Sequence, residues 1–224
     1  MAFAKGSKIA SSMHPQIVVM LIDNSGSMAE EGKCEQVTEA VQDMVTSMQS
    51  MNLGGSGYRF LMNICAFGDS VRQMAIAASP REIDIDSLVF LGDDGATNMH
   101  FALEWAKDAL QQSLERCRKE IRAFQEEKAP NPLCVLLSDG EFTGGDVMEP
   151  AKALQSISVK NGNVDVVSVG VGMEEQHFEV MRSIASRPEH AIQIDPGGIA
   201  DFLSDVGSTI VDSTSVAQLV AKPR

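Results

Sequence analysis

Residues 17–27 read Ile17-Val18-Val19-Met20-Leu21-Ile22-Asp23-Asn24-Ser25-Gly26-Ser27. Six consecutive apolar residues, most of them β-branched, suit a strand buried on both faces, and such a strand needs helices above and below its sheet. The polar turn that follows puts one carboxylate and two hydroxyls at the strand's carboxyl end, where open α/β sheets bind their ligands. Further β-rich runs occur at 58–67, 71–77, 133–137, 164–169 and 191–194, making six strands in all. Only Gly68-Asp69-Ser70 separates the second from the third, short enough for a hairpin, so the third strand is expected as an antiparallel edge. The expected fold is α/β: a doubly wound, mostly parallel sheet in the order 3-2-1-4-5-6 with helices on both faces.

Helical periodicity fills the gaps between strands. Val37, Val41, Met44, Met48 and Met51 fall on one face, opposite Glu35, Glu39 and Asp43, and predict a helix packed on the sheet. A longer helix after Thr97 directs Ala102, Trp105, Ala109, Leu110 and Leu114 inward and becomes strongly charged from Glu115 to Lys128. If helical to Gln125 it would reach on the order of 40 Å, so its distal end is expected in solvent. Further helices fit 147–159, 174–186 and 199–211. Gly54-Gly55-Ser56-Gly57 reads as a flexible turn, not a phosphate loop, because it precedes a strand instead of opening a helix. One domain, 15–212, is expected, with an N-terminal extension at 1–14 and a flexible tail at 213–224.

The 224 residues carry 31 acidic and 18 basic side chains, a formal charge of −13. That balance disfavours nucleic-acid and anionic-membrane partners. No apolar run is long enough to span a bilayer, residues 1–16 lack a secretory h-region, and the four cysteines have neither CxxC nor zinc-finger spacing. These features predict a cytoplasmic protein with buried, reduced thiols.

The candidate chemistry lies at the strand ends. Asp23, Ser25 and Ser27 follow the first strand, Ser138-Asp139-Gly140 follows the fourth, and Gly95-Ala96-Thr97-Asn98 precedes the long helix. In the expected strand order these three segments meet at one crevice. Two carboxylates (Asp23, Asp139) and three hydroxyls (Ser25, Ser27, Thr97), without His or Cys, predict a hard-cation site for Mg²⁺, with Mn²⁺ or Ca²⁺ as substitutes. Such a site is not charge-saturated, so a Glu or Asp from a partner protein could complete it. Asp93, Asp94, Glu141 and Asp146 are read as solvated loop acids, and the four histidines are scattered. The competing reading is a Mg²⁺-dependent phosphohydrolase with Asp23 as nucleophile, weakened because Ser25 stands where that chemistry wants a second acid.

The DxSxS pattern at Asp23, Ser25 and Ser27, the GATN around Thr97 and the SDG around Asp139 together resemble the von Willebrand factor A (VWA) family with its metal-ion-dependent adhesion site, over residues 15–212. The resemblance implies the same doubly wound sheet. It further implies a metal held directly by Ser25, Ser27 and Thr97, with Asp23 and Asp139 close in, partly through water, and capture of an acidic partner side chain coupled to a shift of the last helix. More narrowly, LIDNSGSM, NICAFGDSV and TNMHFALEWA are similar to small bacterial cytosolic VWA proteins of tellurite-resistance and kinase–phosphatase stress operons. That likeness implies a stress-response or signalling role, with a kinase or phosphatase encoded nearby as a partner. The implied activity is binding, not catalysis.

Overall fold

A computed structural model describes residues 8, 10–51, 58–140, 142–143, 145–157, 162–212 and 219. Its centre is β1 (Gln16–Asp23), every residue of which is buried. The other strands are β2 (Phe60–Phe67), β3 (Val71–Ala78), β4 (Leu133–Ser138), β5 (Asp165–Val171) and β6 (Ala191–Ile194). They form one sheet in the order β3-β2-β1-β4-β5-β6, with β3 antiparallel to β2 and the remaining pairs parallel, as the hairpin and crossover lengths predict.

The two faces of β1 divide the core. Val18, Met20 and Ile22 join the layer formed by α1 (Lys33–Met51) and α5 (Ile199–Val211). Ile17, Val19 and Leu21 join the layer of α2 (Met99–Glu120), α3 (Met148–Gln155) and α4 (Glu175–Ile184). Each fully buried aliphatic side chain contributes roughly 1.5–3 kcal/mol. A central strand apolar on both sides therefore binds both helical layers to the same sheet.

Two helix expectations need correction. α2 stops at Glu120, because Ile121 leaves the helix with extended backbone and Ile121 and Phe124 fold back onto the second core layer. No charged end projects; apolar burial decides the chain's path where charge density alone suggested continuation. On α1 the apolar face ends one turn early: Val37, Val41, Met44 and Met48 are buried, whereas Met51 is 45% exposed. The Gly54–Gly57 turn and, apart from Leu219, the tail 213–224 lie outside the described residues.

The edge hairpin is pinned by a buried polar node. Asn63, in β2, donates through Nδ2 to Val18 O (3.1 Å) and Ser113 Oγ (2.9 Å) and accepts at Oδ1 from Ala77 N (2.7 Å). Ala77 sits at φ 44°, inside the irregular β2–β3 register. Asn63 thus satisfies an amide that the bulge removes from the ladder.

Candidate functional site

The strand register brings the candidate residues together. β1 and β4 pair through Ile22 and Leu137, so Asp23 and Ser138 end neighbouring strands at the carboxyl edge. Ser138 Oγ donates to Asp23 Oδ2 (2.5 Å), and Ser25 N donates to Asp23 Oδ1 (2.8 Å). Asp23 is fully buried, and desolvation raises its carboxyl to about 6 against the pull of these hydrogen bonds.

Beyond Asp23 the chain makes a 3-10 turn, Gly26–Gly32, and reverses at Glu31 (φ 55°) and Gly32 (φ 69°) to launch α1 at Lys33. Within this turn the Ser25 and Ser27 hydroxyls lie 3.2 Å apart, and Ser27 Oγ donates to Asp139 Oδ1 (2.7 Å). Thr97, 4% exposed, completes the crevice from the third segment. A Cβ on Gly140 would fall 2.8 Å from Thr97 Oγ1 and 3.4 Å from Ser27 Oγ, so only glycine lets the β4 loop pass against both. Thr143 N donates to Thr97 O (2.8 Å), tying that loop to the start of α2. All five predicted residues therefore meet in one crevice.

Two further residues organise it that the sequence reading did not single out. Asn24 accepts at Oδ1 from the amides of Leu91 (2.8 Å) and Gly92 (3.0 Å) and donates to Asp93 Oδ1 (2.9 Å), clamping the 91–94 loop to the end of β1. Lys33 is buried, and its Nζ donates to Asp139 Oδ2 (2.5 Å) and to Ser27 O (3.2 Å). The available signal was a lone lysine at the first position of a helix, where the dipole disfavours a cation.

These contacts overturn the metal expectation. Among the described residues no group of three or more His, Cys, Asp or Glu side chains could hold a metal ion. Only two carboxylates enter the crevice, and the four oxygens of Asp23 and Asp139 already accept from Ser25, Ser138, Ser27 and Lys33. A dication at Asp139 would meet the Lys33 ammonium at close range in a buried setting, where like charges repel strongly. With the Lys33 ammonium seated on Asp139 the donor set does not fit Mg²⁺, Mn²⁺ or Ca²⁺, and Asp23, Ser25, Ser27, Thr97 and Asp139 are not assigned as a metal site. The Mg²⁺-dependent capture of an acidic side chain falls with it. So does the Mg²⁺-dependent phosphohydrolase, since Asp23 is buried with both oxygens engaged and cannot reach a substrate.

Comparison with known proteins settles the family. Residues 18–202 match the sequence model of the von Willebrand factor type A domain. The chain belongs to the VWA family. Among solved structures, this VWA domain is similar to the pilus adhesin SpaC from Lactobacillus rhamnosus GG in its open conformation, at 16% identity and a TM-score of 0.68, over 92% of this chain and 31% of that one. It is likewise similar to proximal thread matrix protein 1 from the mussel byssus (13% identity, TM-score 0.62, 88% of this chain and 48% of that one). The mussel protein is also known with a zinc-occupied MIDAS motif. A third likeness is to the ArnB paralog VWA2 from Sulfolobus acidocaldarius (21% identity, TM-score 0.52, 87% and 46%). The chain thus spans about half the length of the mussel and Sulfolobus proteins and about a third of SpaC. At these identities the likeness is one of fold. No curated protein matches the chain. The narrower placement among tellurite-resistance and stress-operon proteins is therefore corrected to the VWA family as a whole, since the complete adhesion site that went with it does not fit the geometry.

Proposed function

We propose that this VWA domain is a non-enzymatic protein-docking module whose binding face is the loop cluster at the carboxyl edge of the sheet, held in shape without a metal. The observation that carries this reading is the exposure of two large apolar side chains on that edge, Leu91 (58%) and Phe101 (48%). Leu91 is held through its amide by Asn24, and Phe101 stands in the first turn of α2 just beyond Thr97, its ring edge-on to His100. Both are presented from hydrogen-bonded backbone, Leu91 through the Asn24 clamp and Phe101 within a helix, which reduces the ordering cost of binding.

The charge around them defines the partner. In the loops 26–32, 68–70 and 91–98 every ionisable side chain is acidic: Glu30, Glu31, Asp69, Asp93 and Asp94. Lys33 lies outside these loops and is committed to Asp139. The complement is a protein segment bearing an apolar anchor flanked by Lys or Arg, in place of the acidic side chain expected at a metal. A charge of −13 likewise disfavours nucleic acid and anionic lipid as partners.

We place the protein in the cytoplasm. Cys34, Cys65, Cys117 and Cys134 are free and buried, and burial pushes the Cys34 thiol up to about 11 and those of Cys117 and Cys134 up to about 12. Such thiols are inert core residues suited to a reducing compartment. Among the described residues no helix is long and apolar enough to cross a membrane.

Panning a displayed random-peptide library against the wild-type domain in EDTA tests the docking reading. Enriched peptides should combine an aromatic or aliphatic residue with Lys or Arg, and should lose binding to the double variant Leu91→Ser/Phe101→Ser. Peptides that bind only with Mg²⁺, or bind the double variant equally well, refute it.

A further inference from the structure

We infer that Lys33 is the resident cation of this domain, a side-chain ammonium that ties the β1–α1 turn to the end of β4 as a bridging ion would. The tie joins segments far apart in sequence: Nζ reaches Ser27 O on one side (3.2 Å) and Asp139 Oδ2 on the other (2.5 Å). Both partners are out of solvent, with side-chain exposures of 9% for Lys33 and 2% for Asp139. Nothing local favours a cation there. The first turn of a helix presents unpaired amides and the positive end of its dipole, and burial penalises an ammonium further. The position is tolerable only because Asp139 and the Ser27 carbonyl replace its hydration, and Ser27 Oγ satisfies the second Asp139 oxygen (2.7 Å).

The main-chain path explains why this lysine reaches. Glu31 and Gly32 both adopt left-handed backbone (φ 55° and 69°), which reverses the chain so that the first residue of α1 faces back over the turn it has just left. Gly92, also left-handed (φ 65°), packs so closely that a Cβ there would fall 2.4 Å from Ala29 N. The loop carrying Leu91 is thereby seated on the turn that Lys33 fastens. A covalently tethered cation cannot be removed by a chelator and does not vary in occupancy, so the loops keep one arrangement whatever the metal supply. Lys33 does this whether or not anything docks on the face above it.

The full chain is compared as wild type, Lys33→Ala, Asp139→Asn and the double variant Lys33→Ala/Asp139→Asn, using Mn²⁺ alone as probe. Uptake is read by the electron paramagnetic resonance of free Mn²⁺, and the thermal midpoint by calorimetry. Wild type should show no saturable uptake and no midpoint shift at millimolar Mn²⁺. Lys33→Ala uncovers the Asp139 carboxylate and should gain one saturable Mn²⁺, with a midpoint rise of roughly 3–6 °C at tenfold excess over Kd, lost again in the double variant. Saturable uptake by wild type that Asp139→Asn abolishes would overturn the inference, as would Lys33→Ala behaving like wild type. Should Lys33→Ala not fold, amine acylation of the wild type decides. Lys33 should react far more slowly than the exposed Lys119 and Lys152, and equal rates would refute the buried tie.

Discussion

Ser138 Oγ and Asp23 Oδ2 are hydrogen-bonded at 2.5 Å across the ends of two central strands, which makes a carboxyl group the keystone of the β1–β4 junction. That group is fully buried, and desolvation pushes its pKa up to about 6 from the ordinary aspartate value of 3.8. Between those two values the folded chain holds a proton that the unfolded chain has released. Stability therefore falls as pH rises from about 4 to about 6 and then levels, by an amount on the order of 2–3 kcal/mol.

Asp23→Asn should remove this dependence. The amide oxygen can accept from Ser25 N, and the amide nitrogen can donate to Ser138 Oγ, without a buried charge. The variant should match wild type near pH 4 and exceed it by about 2 kcal/mol near pH 7, measured as urea midpoints over that range. An unchanged pH slope would show that Asp23 is not the titrating group.

The Lys33–Asp139 pair should show strong coupling in a double-mutant cycle. Asp139→Asn strands a buried ammonium and should cost about 3–5 kcal/mol; Lys33→Met strands a carboxylate at comparable cost. The double variant should be much less destabilised than the sum of the two. Additive losses in chemical denaturation would mean that the ion pair does not form in solution.

Asn24→Ala should loosen the docking face without unfolding the domain. Three hydrogen bonds from Asn24 hold the 91–94 loop, and losing them should cost about 2 kcal/mol. Hydrogen exchange should quicken at the Leu91 and Gly92 amides and stay unchanged in β4 and β5. Uniform acceleration across the sheet would contradict a local clamp.

Asn63→Leu removes the polar node under the edge hairpin. It leaves the Ala77 amide and Ser113 hydroxyl unpaired in the core, an expected loss of about 2–4 kcal/mol. Ser113→Ala, which leaves the Ala77 contact intact, should cost about 1 kcal/mol. Equal losses from the two would place the cost in packing instead of in the bulge amide.

The architecture was legible in residues 17–22 and in the spacing of the other strands because burial on two faces and short connections are local properties of a sequence. Six strands and the antiparallel edge follow from runs of apolar residues and from a three-residue turn, and their order is the one that doubly wound sheets share. The same reading placed Asp23, Ser25, Ser27, Thr97 and Asp139 at strand ends that the fold brings into one crevice. It could not say what those oxygens would bind. A carboxylate has no preference written in its own sequence between a metal ion and an ammonium, and the choice is made by whichever cation the backbone delivers. Here the left-handed pair Glu31 and Gly32 turns the chain so that Lys33 returns to Asp139. The end of α2 was decided in the same way: Ile121 and Phe124 found a core surface to cover, and apolar burial outweighed the helical bias of the charged residues around them. Periodicity and turn residues act between near neighbours and can be read along the chain. The partner of a buried charge and the landing place of an apolar side chain are set by distances through space, which only the folded structure supplies.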